Sequence, residues 1–247
     1  MPSLRDSGKI VGTPVSIKQL AQQCNLSFPL SLRQFIAAPG CPFARWHRLH
    51  IKVLTKPNTP IETMLNRMRE VYSTAGIGVE IVSRENLTPA VLGNANFTTL
   101  NTLDVGACQS GAPSTEQTQL FQNQNNVAAD QRPNEIVVYF VQNVTATAGP
   151  NPGAKNGCAS HPNGQPGAAV AQIASQWTLA HEVGHVLGLE HIPGEHVGCP
   201  DTRPACCKTA DPTRLMTGCS TDNIIGTPTL AQNEIDTMMD NPLTQQV

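Results

Sequence analysis

Residues 181–191, which read HEVGHVLGLEH, constrain the fold of this chain more than any other segment. Residues four apart lie on one face of a helix, so His181 and His185 can present ring nitrogens to one metal ion. Gly188 can adopt left-handed backbone angles, so the helix can end and His191 can reach the ion from outside it. Glu182 then flanks the ion without binding it, where it can take a proton from a metal-bound water. Three histidines with one open position are typical of a catalytic zinc site.

The alternative interpretation is that these histidines are ordinary core residues of a buried helix. From the chain's own frequencies of His, Glu and Gly, the five fixed positions recur by chance in roughly one chain of this length in 10⁵. The pattern therefore favours a zinc site.

Length and charge limit the classes of partner. The chain has 247 residues, which fits one large domain or one domain with an extension, and 39% of them are hydrophobic, enough for a packed core. The formal net charge is −2 and no Lys/Arg cluster occurs, which argues against nucleic acid and anionic membrane as partners. No apolar run approaches the roughly 18 residues that a membrane span needs. We expect a monomer.

Cysteine content indicates an oxidising compartment. An even number of cysteines in a loop-rich chain suits disulfides, although no signal peptide is visible in the opening segment MPSLRDSGKI. We therefore expect a secreted, extracellular protein whose disulfide pairing the sequence leaves open. Cys41 could instead block a metal as a thiolate, but a disulfide half is the favoured interpretation. The eight cysteines are Cys24, Cys41, Cys108, Cys158, Cys199, Cys206, Cys207 and Cys219.

A compact pattern of elements begins near Trp46. Residues 49–54 and 77–82 alternate like strands and flank a helical pattern over 60–75, which predicts a β–α–β unit with parallel strands. Residues 135–141, EIVVYFV, are the strongest strand signal. Further expectations are a helix with a capping box at Ser114 and Gln117, a weak strand over 168–173, a helix from Gln176 capped by Ser175, and a last helix over 228–239 capped by Thr227.

Together with a second short segment, the histidine motif resembles the metzincin zinc metallopeptidases. All five positions of the signature HExxHxxGxxH match, and the segment LMTG at 215–218 looks like the Met-turn that follows it in the family. In the family that methionine, here Met216, packs beneath the zinc-binding imidazoles. Astacin- and serralysin-like members can add a tyrosine ligand two residues later, where this chain has Gly218. The matrixin-like and pappalysin-like branches remain, and the extra cysteines of archaemetzincins do not match.

The resemblance implies a mixed α+β fold. A twisted, mostly parallel sheet with an antiparallel edge strand packs on helices, and a small irregular C-terminal subdomain ends in a helix. The implied division of the chain is an N-terminal extension or prosegment at 1–45 and a catalytic domain at 46–247. Within that domain the upper subdomain covers 46–191 and the lower subdomain 192–247.

The same resemblance implies a zinc-dependent endopeptidase acting on a protein or peptide substrate. One zinc ion would be held by His181, His185 and His191, with Glu182 as general base; calcium is compatible with the family, but no calcium-loop signature supports it. The substrate should lie extended along an edge strand at 167–172. Candidate substrate contacts are Gly167, Ala168 and Ala169 on that strand, and Thr217 and Gly218 beside the pocket.

Three other functions stay open. They are a zinc hydrolase of a non-protein amide, a secreted or injected toxin protease, and a catalytically silent binding domain; intact Glu182 argues against the last. The remaining histidines, His47, His50, His161 and His196, are expected to be surface or structural residues.

Overall fold

The computed structural model describes residues 45–122, 134–149, 152–192, 211–218 and 220–246. The predicted N-terminal extension, apart from Arg45, lies outside these ranges, as do His196 and every cysteine except Cys108 and Cys158. The strands are β1 (Arg45–Val53), β2 (Ile77–Asn86), β3 (Thr102–Asp104), β4 (Ile136–Val141), β5 (Asn143–Ala146), β6 (Gly153–Lys155), β7 (Gly157–Cys158), β8 (Gly167–Ala171) and β9 (Gln245–Gln246). The helices are α1 (Ile61–Ser73), α2 (Pro89–Leu92), α3 (Asn94–Asn101), α4 (Thr115–Gln122), α5 (Thr178–Val186) and α6 (Gln232–Asp240).

Six of the strands form one sheet. β1 pairs in parallel with β2 on one side and with β4 on the other, and β4 pairs in parallel with β8. β7 pairs antiparallel with β8 at one edge, and β9 pairs antiparallel with the start of β1. A second sheet contains β3, β5 and β6. The predicted mixed α+β fold, with a mostly parallel sheet and an antiparallel edge strand, is confirmed.

The first β–α–β unit forms as its sequence predicts. Helix α1 packs its apolar face on the sheet, and Gly76 follows it with a φ of 70°, an angle that glycine adopts without strain. β1 and β2 are parallel because the helix carries the chain back to the same end of the sheet. The buried face of α1 comprises Ile61, Met64, Leu65, Met68, Val71 and Tyr72.

Strand β4 is buried on both faces of the sheet. Its alternate residues Ile136, Val138 and Phe140 belong to the core that includes α1 and α5. The intervening residues belong to a second core, which includes side chains from α3 and α4. A strand covered on both faces needs a continuous apolar run rather than an alternating one, which explains why residues 135–141 give so strong a signal.

Helix α5, which carries the histidine motif, is fixed against α1. The Tyr72 hydroxyl donates a hydrogen bond to the Ala180 carbonyl at 2.9 Å, and Arg67 Cζ lies 5.3 Å from the centroid of the Trp177 ring. Leu179 and Val183 are fully buried, and each such side chain stabilises the fold by roughly 1.5–3 kcal/mol. The sheet and α1 therefore hold the helix in place, independently of any metal.

Two predicted helix starts are wrong by a few residues. Helix α5 begins at Thr178. Ser175 Oγ accepts the N–H of Trp177 at 3.3 Å and donates to Thr221 Oγ1 at 2.9 Å, ahead of the helix. Helix α6 begins at Gln232, because the Thr227 hydroxyl donates to Glu70 at 2.7 Å instead of capping.

The capping box ahead of α4 forms as predicted. The Gln117 N–H donates to Ser114 Oγ at 3.0 Å, and the Ser114 N–H donates to Gln117 Oε1 at 2.9 Å. A cap of this kind needs only residues close in sequence, so local reasoning is enough to find it.

The prediction of an edge strand over 167–172 is also wrong. Strand β8 lies between β4 and β7, and all five of its residues are buried. β7 already pairs with Ala169 and Val170, and the role of Gly167, Ala168 and Ala169 in substrate binding stays a prediction. A short apolar run looks the same in an interior strand as in an edge strand, and β7 is too short to give a sequence signal of its own. Across the described ranges, no helix has both the length and the apolar character that a membrane crossing requires.

Candidate metal centre

Three histidine rings meet at the C-terminal half of α5. The Nε2 atom of His185 lies 3.1 Å from the Nε2 atom of His181 and 3.1 Å from that of His191. The Nε2 atoms of His181 and His191 are 3.2 Å apart. Among the described residues, these three are the one group of His, Cys, Asp or Glu side chains that could hold a metal ion. The structure thus brings together all three predicted ligands.

Gly188 makes the third histidine reachable. Its φ is 89°, and the Leu189 N–H donates to the Gly184 carbonyl at 3.0 Å while the Gly188 N–H donates to the His185 carbonyl at 3.0 Å. This pair of bonds is the Schellman arrangement, which ends a helix with a residue in left-handed conformation. The chain reverses at Gly188, and His191 returns to the two rings on the helix.

Backbone carbonyls orient two of the three rings. His181 Nδ1 lies 2.8 Å from the Leu215 carbonyl oxygen, and His185 Nδ1 lies 2.8 Å from that of Leu189. A neutral imidazole carries one N–H, so these contacts place the proton on Nδ1 and leave the Nε2 lone pair facing the centre. Burial, with the neighbouring rings of His185 and His191, holds the pKa of His181 well below its usual range. Burial also lowers the pKa of His185, and the neutral imidazole is the form that binds a metal.

The donor set fits zinc. Lone pairs that converge without a proton between them repel one another, and a cation removes that repulsion. Corners of a tetrahedron with Zn–N bonds of about 2.0–2.1 Å lie about 3.3–3.4 Å apart, close to the observed Nε2 separations. Three neutral imidazoles leave the fourth corner open, as catalytic zinc sites do.

Met216 lies under the same helix and is fully buried. A Cβ atom built on Gly184 would lie 2.8 Å from Met216 Sδ, so the glycine lets the sulfur approach the helix backbone between His181 and His185. The Met216 carbonyl accepts the N–H of Ile192 at 3.1 Å. The turn at Met216 therefore supports α5 from below and also fixes the chain just beyond His191.

The side chain of Glu182 lies against Gly157 of strand β7. A Cβ atom built on Gly157 would lie 2.6 Å from Glu182 Cγ and 2.7 Å from its Oε1. The side chain is only 7% exposed, and this burial raises the pKa of Glu182 to about 8, while the positive charge of Lys155 opposes the rise. A carboxyl group of this kind exchanges a proton near neutral pH, which suits a general acid–base role.

The other predicted site residues and histidines lie as follows. Thr217 and Gly218 directly follow Met216 and are buried, and their role beside a substrate pocket stays a prediction. His47 is buried on β1 with Nδ1 3.4 Å from the Leu243 carbonyl oxygen. His50 Nε2 lies 2.8 Å from a carboxylate oxygen of Glu135, and His161 Nδ1 lies 3.0 Å from the Pro162 carbonyl oxygen.

Two features of the site gave no signal in the sequence. The Leu215 carbonyl orients His181 from 34 residues away, and Gly157 receives the side chain of Glu182 from a strand 25 residues earlier in the chain. Both are contacts between distant segments, and a single sequence contains no pattern that pairs them.

Comparison with known proteins agrees with this geometry. Residues 52–247 match the family model described as metallo-peptidase family M12B, reprolysin-like. Comparison with curated protein sequences gives no match. The predicted zinc metallopeptidase of metzincin type is confirmed at the family level. The matching model is reprolysin-like, so neither the matrixin-like nor the pappalysin-like branch that the sequence favoured is shown.

Two solved structures resemble the chain at low identity. Archaemetzincin from Methanopyrus kandleri is 14% identical with a TM-score of 0.45, over 82% of this chain and 97% of that one. Metalloproteinase-II from Bacteroides fragilis is 13% identical with a TM-score of 0.46, over 81% of this chain and 53% of that one. The family assignment rests on the family model, which spans most of the sequence. The chain therefore belongs to the reprolysin-like metallopeptidases of family M12B, zinc-dependent enzymes that hydrolyse peptide bonds.

Proposed function

We propose that the chain is an endopeptidase in which His181, His185 and His191 hold one zinc ion and Glu182 is the general base. The observation that carries this proposal is the convergence of three Nε2 atoms within 3.2 Å of one another. Zinc bound there supplies Lewis-acid polarisation of the scissile carbonyl and lowers the pKa of a bound water.

Glu182 handles the proton in this mechanism. It accepts a proton from the attacking water and later returns it to the leaving amine. Contact with Gly157 fixes the direction of the carboxylate, and burial keeps its pKa near the pH at which it must both accept and release a proton. The positive charge of Lys155 favours the ionised form from which the reaction starts.

The substrate chain lies extended along β7. This strand stands at the edge of the sheet, and among the described residues no strand pairs with its outer side. Both residues of β7 are buried, but an edge strand can accept a peptide as a further strand through main-chain hydrogen bonds. The segment after Met216, beginning with Thr217 and Gly218, forms the facing wall. In this proposal residues 46–191 supply one side of the cleft and residues 192–247 the other.

The disulfide supports an oxidising compartment. Cys108 and Cys158 are bonded, which joins the loop after β3 to the edge strand β7. Disulfides persist in oxidising compartments, and this supports the proposal that the enzyme acts outside the cell.

An unbiased peptide library tests the function. The protein should cleave peptides internally, lose that activity when a chelator removes zinc, and regain it when zinc is restored. His185→Ala should be inactive, whereas His161→Ala is the matched control and should retain activity, since His161 lies outside the metal-binding group. Cleavage that survives complete zinc removal would refute the proposal. Protein with one bound zinc that cleaves no peptide would favour a non-peptide amide substrate or a binding role.

A further inference from the structure

Asn156 connects the edge of the sheet to the segment that follows Met216. Its Nδ2 atom donates to Ser220 Oγ at 3.0 Å and to Asp222 Oδ2 at 2.9 Å. The Ser220 hydroxyl donates to the same Asp222 oxygen at 2.7 Å. A side-chain amide has two N–H donors, so one asparagine can hold both acceptors. We call these contacts between Asn156, Ser220 and Asp222 the Asn156 bridge.

The Asn156 bridge lies beside the proposed general base. Asn156 is the residue before Gly157, whose Cα faces the side chain of Glu182. The Asn156 carbonyl accepts the N–H of Ala171 at 2.8 Å, so the backbone of Asn156 is fixed to the sheet and only its side chain spans the gap. A substrate strand paired with β7 and with its scissile bond at Glu182 would place a neighbouring residue beside the bridge.

The turn on the far side of the Asn156 bridge is held by contacts that do not involve Asn156. Thr221 is buried, and its Oγ1 lies 2.7 Å from that of Thr178 and 2.9 Å from Ser175 Oγ. These contacts hold the turn at 221–223 to the start of α5. Asp222, by contrast, is exposed. A substrate can thus displace the exposed hydrogen bonds of Asn156 while the buried ones at Thr221 keep the turn in place.

We propose that the Asn156 bridge is a specificity-determining contact, which selects substrates with a small side chain next to the scissile bond. This inference rests on the proposed function. Donor and acceptor atoms 2.9–3.0 Å apart close the gap between the Asn156 side chain and the turn, so a large substrate side chain cannot enter there while the bridge is intact. A glycine, alanine or serine passes without disturbing the bridge, whereas a leucine or phenylalanine must break it. Breaking two partly exposed hydrogen bonds lowers the rate on the bulky substrate by roughly tenfold.

Paired fluorogenic peptides test the inference. The two peptides are identical except for alanine or leucine directly after the scissile bond, and kcat/KM is measured for each with zinc-loaded enzyme. In Asn156→Ala the leucine-to-alanine ratio of kcat/KM should rise roughly tenfold, and in Asp222→Ala it should rise less, since the hydrogen bond from Asn156 to Ser220 remains. The double variant should show no further rise over Asn156→Ala, because both changes open the same bridge. Asn156→Asp should raise the ratio too, since two carboxylates repel each other. The matched control is Asn96→Ala, which removes an amide that donates to the Leu92 carbonyl at 3.2 Å and should leave the ratio unchanged.

The outcomes separate the two proposals. An unchanged ratio in Asn156→Ala, Asp222→Ala and Asn156→Asp, with cleavage of both peptides intact, overturns the inference and leaves the proposed function standing. An equal fall in kcat/KM on both peptides means that the bridge has only a structural role, and this also overturns the inference. Failure of the zinc-loaded wild type to cleave any peptide refutes the proposed function and the inference with it.

Discussion

Gly157→Ala should move the proposed general base, Glu182, while the three zinc-binding histidines stay in place. The new Cβ atom would lie 2.6 Å from Glu182 Cγ and 2.7 Å from its Cδ and Oε1. Carbon atoms at optimal separation are about 3.5–4.0 Å apart, so the carboxylate must retreat by about 1 Å. The contact includes Cγ, near the root of the side chain, so rotation of the carboxylate alone cannot relieve it. A displacement of about 1 Å in an active site costs roughly 10²-fold in rate, equivalent to about 3 kcal/mol of transition-state stabilisation.

The assay measures kcat and KM on a fluorogenic peptide, together with zinc content and melting temperature. We expect kcat to fall roughly 10²-fold while one zinc is retained, because the three atoms nearest to the new methyl group all belong to Glu182. Gly167→Ala is the contrasting control, since its Cβ would meet the Val137 carbonyl oxygen and the Phe121 ring inside the sheet. That variant should have a lower free energy of unfolding, while the geometry of the zinc site stays the same. Wild-type kcat in zinc-loaded Gly157→Ala would refute the argument that β7 positions Glu182.

Three further predictions concern pH, the disulfide and the helix end. Burial lowers the pKa of His47 from 6.5 to about 4, so the unfolded chain takes up a proton below about pH 6.5 and the folded chain only near pH 4. The free energy of unfolding should therefore fall by about 3 kcal/mol as the pH drops across that window. Urea titrations should show a smaller fall in His47→Gln. Replacing Cys108 and Cys158 by serine opens a link across 50 residues and should cost about 4 kcal/mol of unfolding free energy, measured by the denaturation midpoint. Gly188→Ala forces alanine to a φ of 89°, and the resulting strain of about 1–2 kcal/mol should displace His191. Zinc affinity, measured by chelator competition, should fall about tenfold.

Each of these predictions has a result that contradicts it. Parallel pH profiles of stability in wild type and His47→Gln would mean that His47 is not buried in its neutral form. An unchanged denaturation midpoint would show that the disulfide does not restrict the unfolded chain. For the glycine, Gly93→Ala is the matched control, because Gly93 has a φ of 79° with nothing within 4 Å; equal zinc affinity in both variants would contradict the role given to Gly188.

The sequence predicts those parts of the molecule that depend on neighbouring residues. The histidine trio follows from helical spacing and one glycine, and the structure brings all three rings together. The β–α–β unit follows from the apolar pattern of α1, and the capping box at Ser114 follows from two residues three positions apart. In each case the deciding contacts lie within a few turns of chain, where periodicity and capping rules apply.

The sequence fails where a distant partner decides the outcome. Residues 167–171 have the composition of a short strand, but the edge belongs to β7, whose two residues carry no periodicity. Thr227 has the chemistry of a helix cap, yet Glu70 of α1 takes its hydroxyl. Gly157 and Asn156 carry no motif, although one receives Glu182 and the other reaches Asp222. Such contacts between remote segments are set by tertiary packing, which local propensity does not describe.

The role of Glu182 as the general base of a zinc peptidase is tested by kcat/KM of Glu182→Gln at the same zinc content as wild type. Glutamine keeps the size of the side chain but cannot accept the proton. We expect one zinc to stay bound to His181, His185 and His191 while kcat/KM falls by roughly 10²- to 10⁴-fold. A zinc-loaded Glu182→Gln enzyme that cleaves peptides at the wild-type rate would contradict that role.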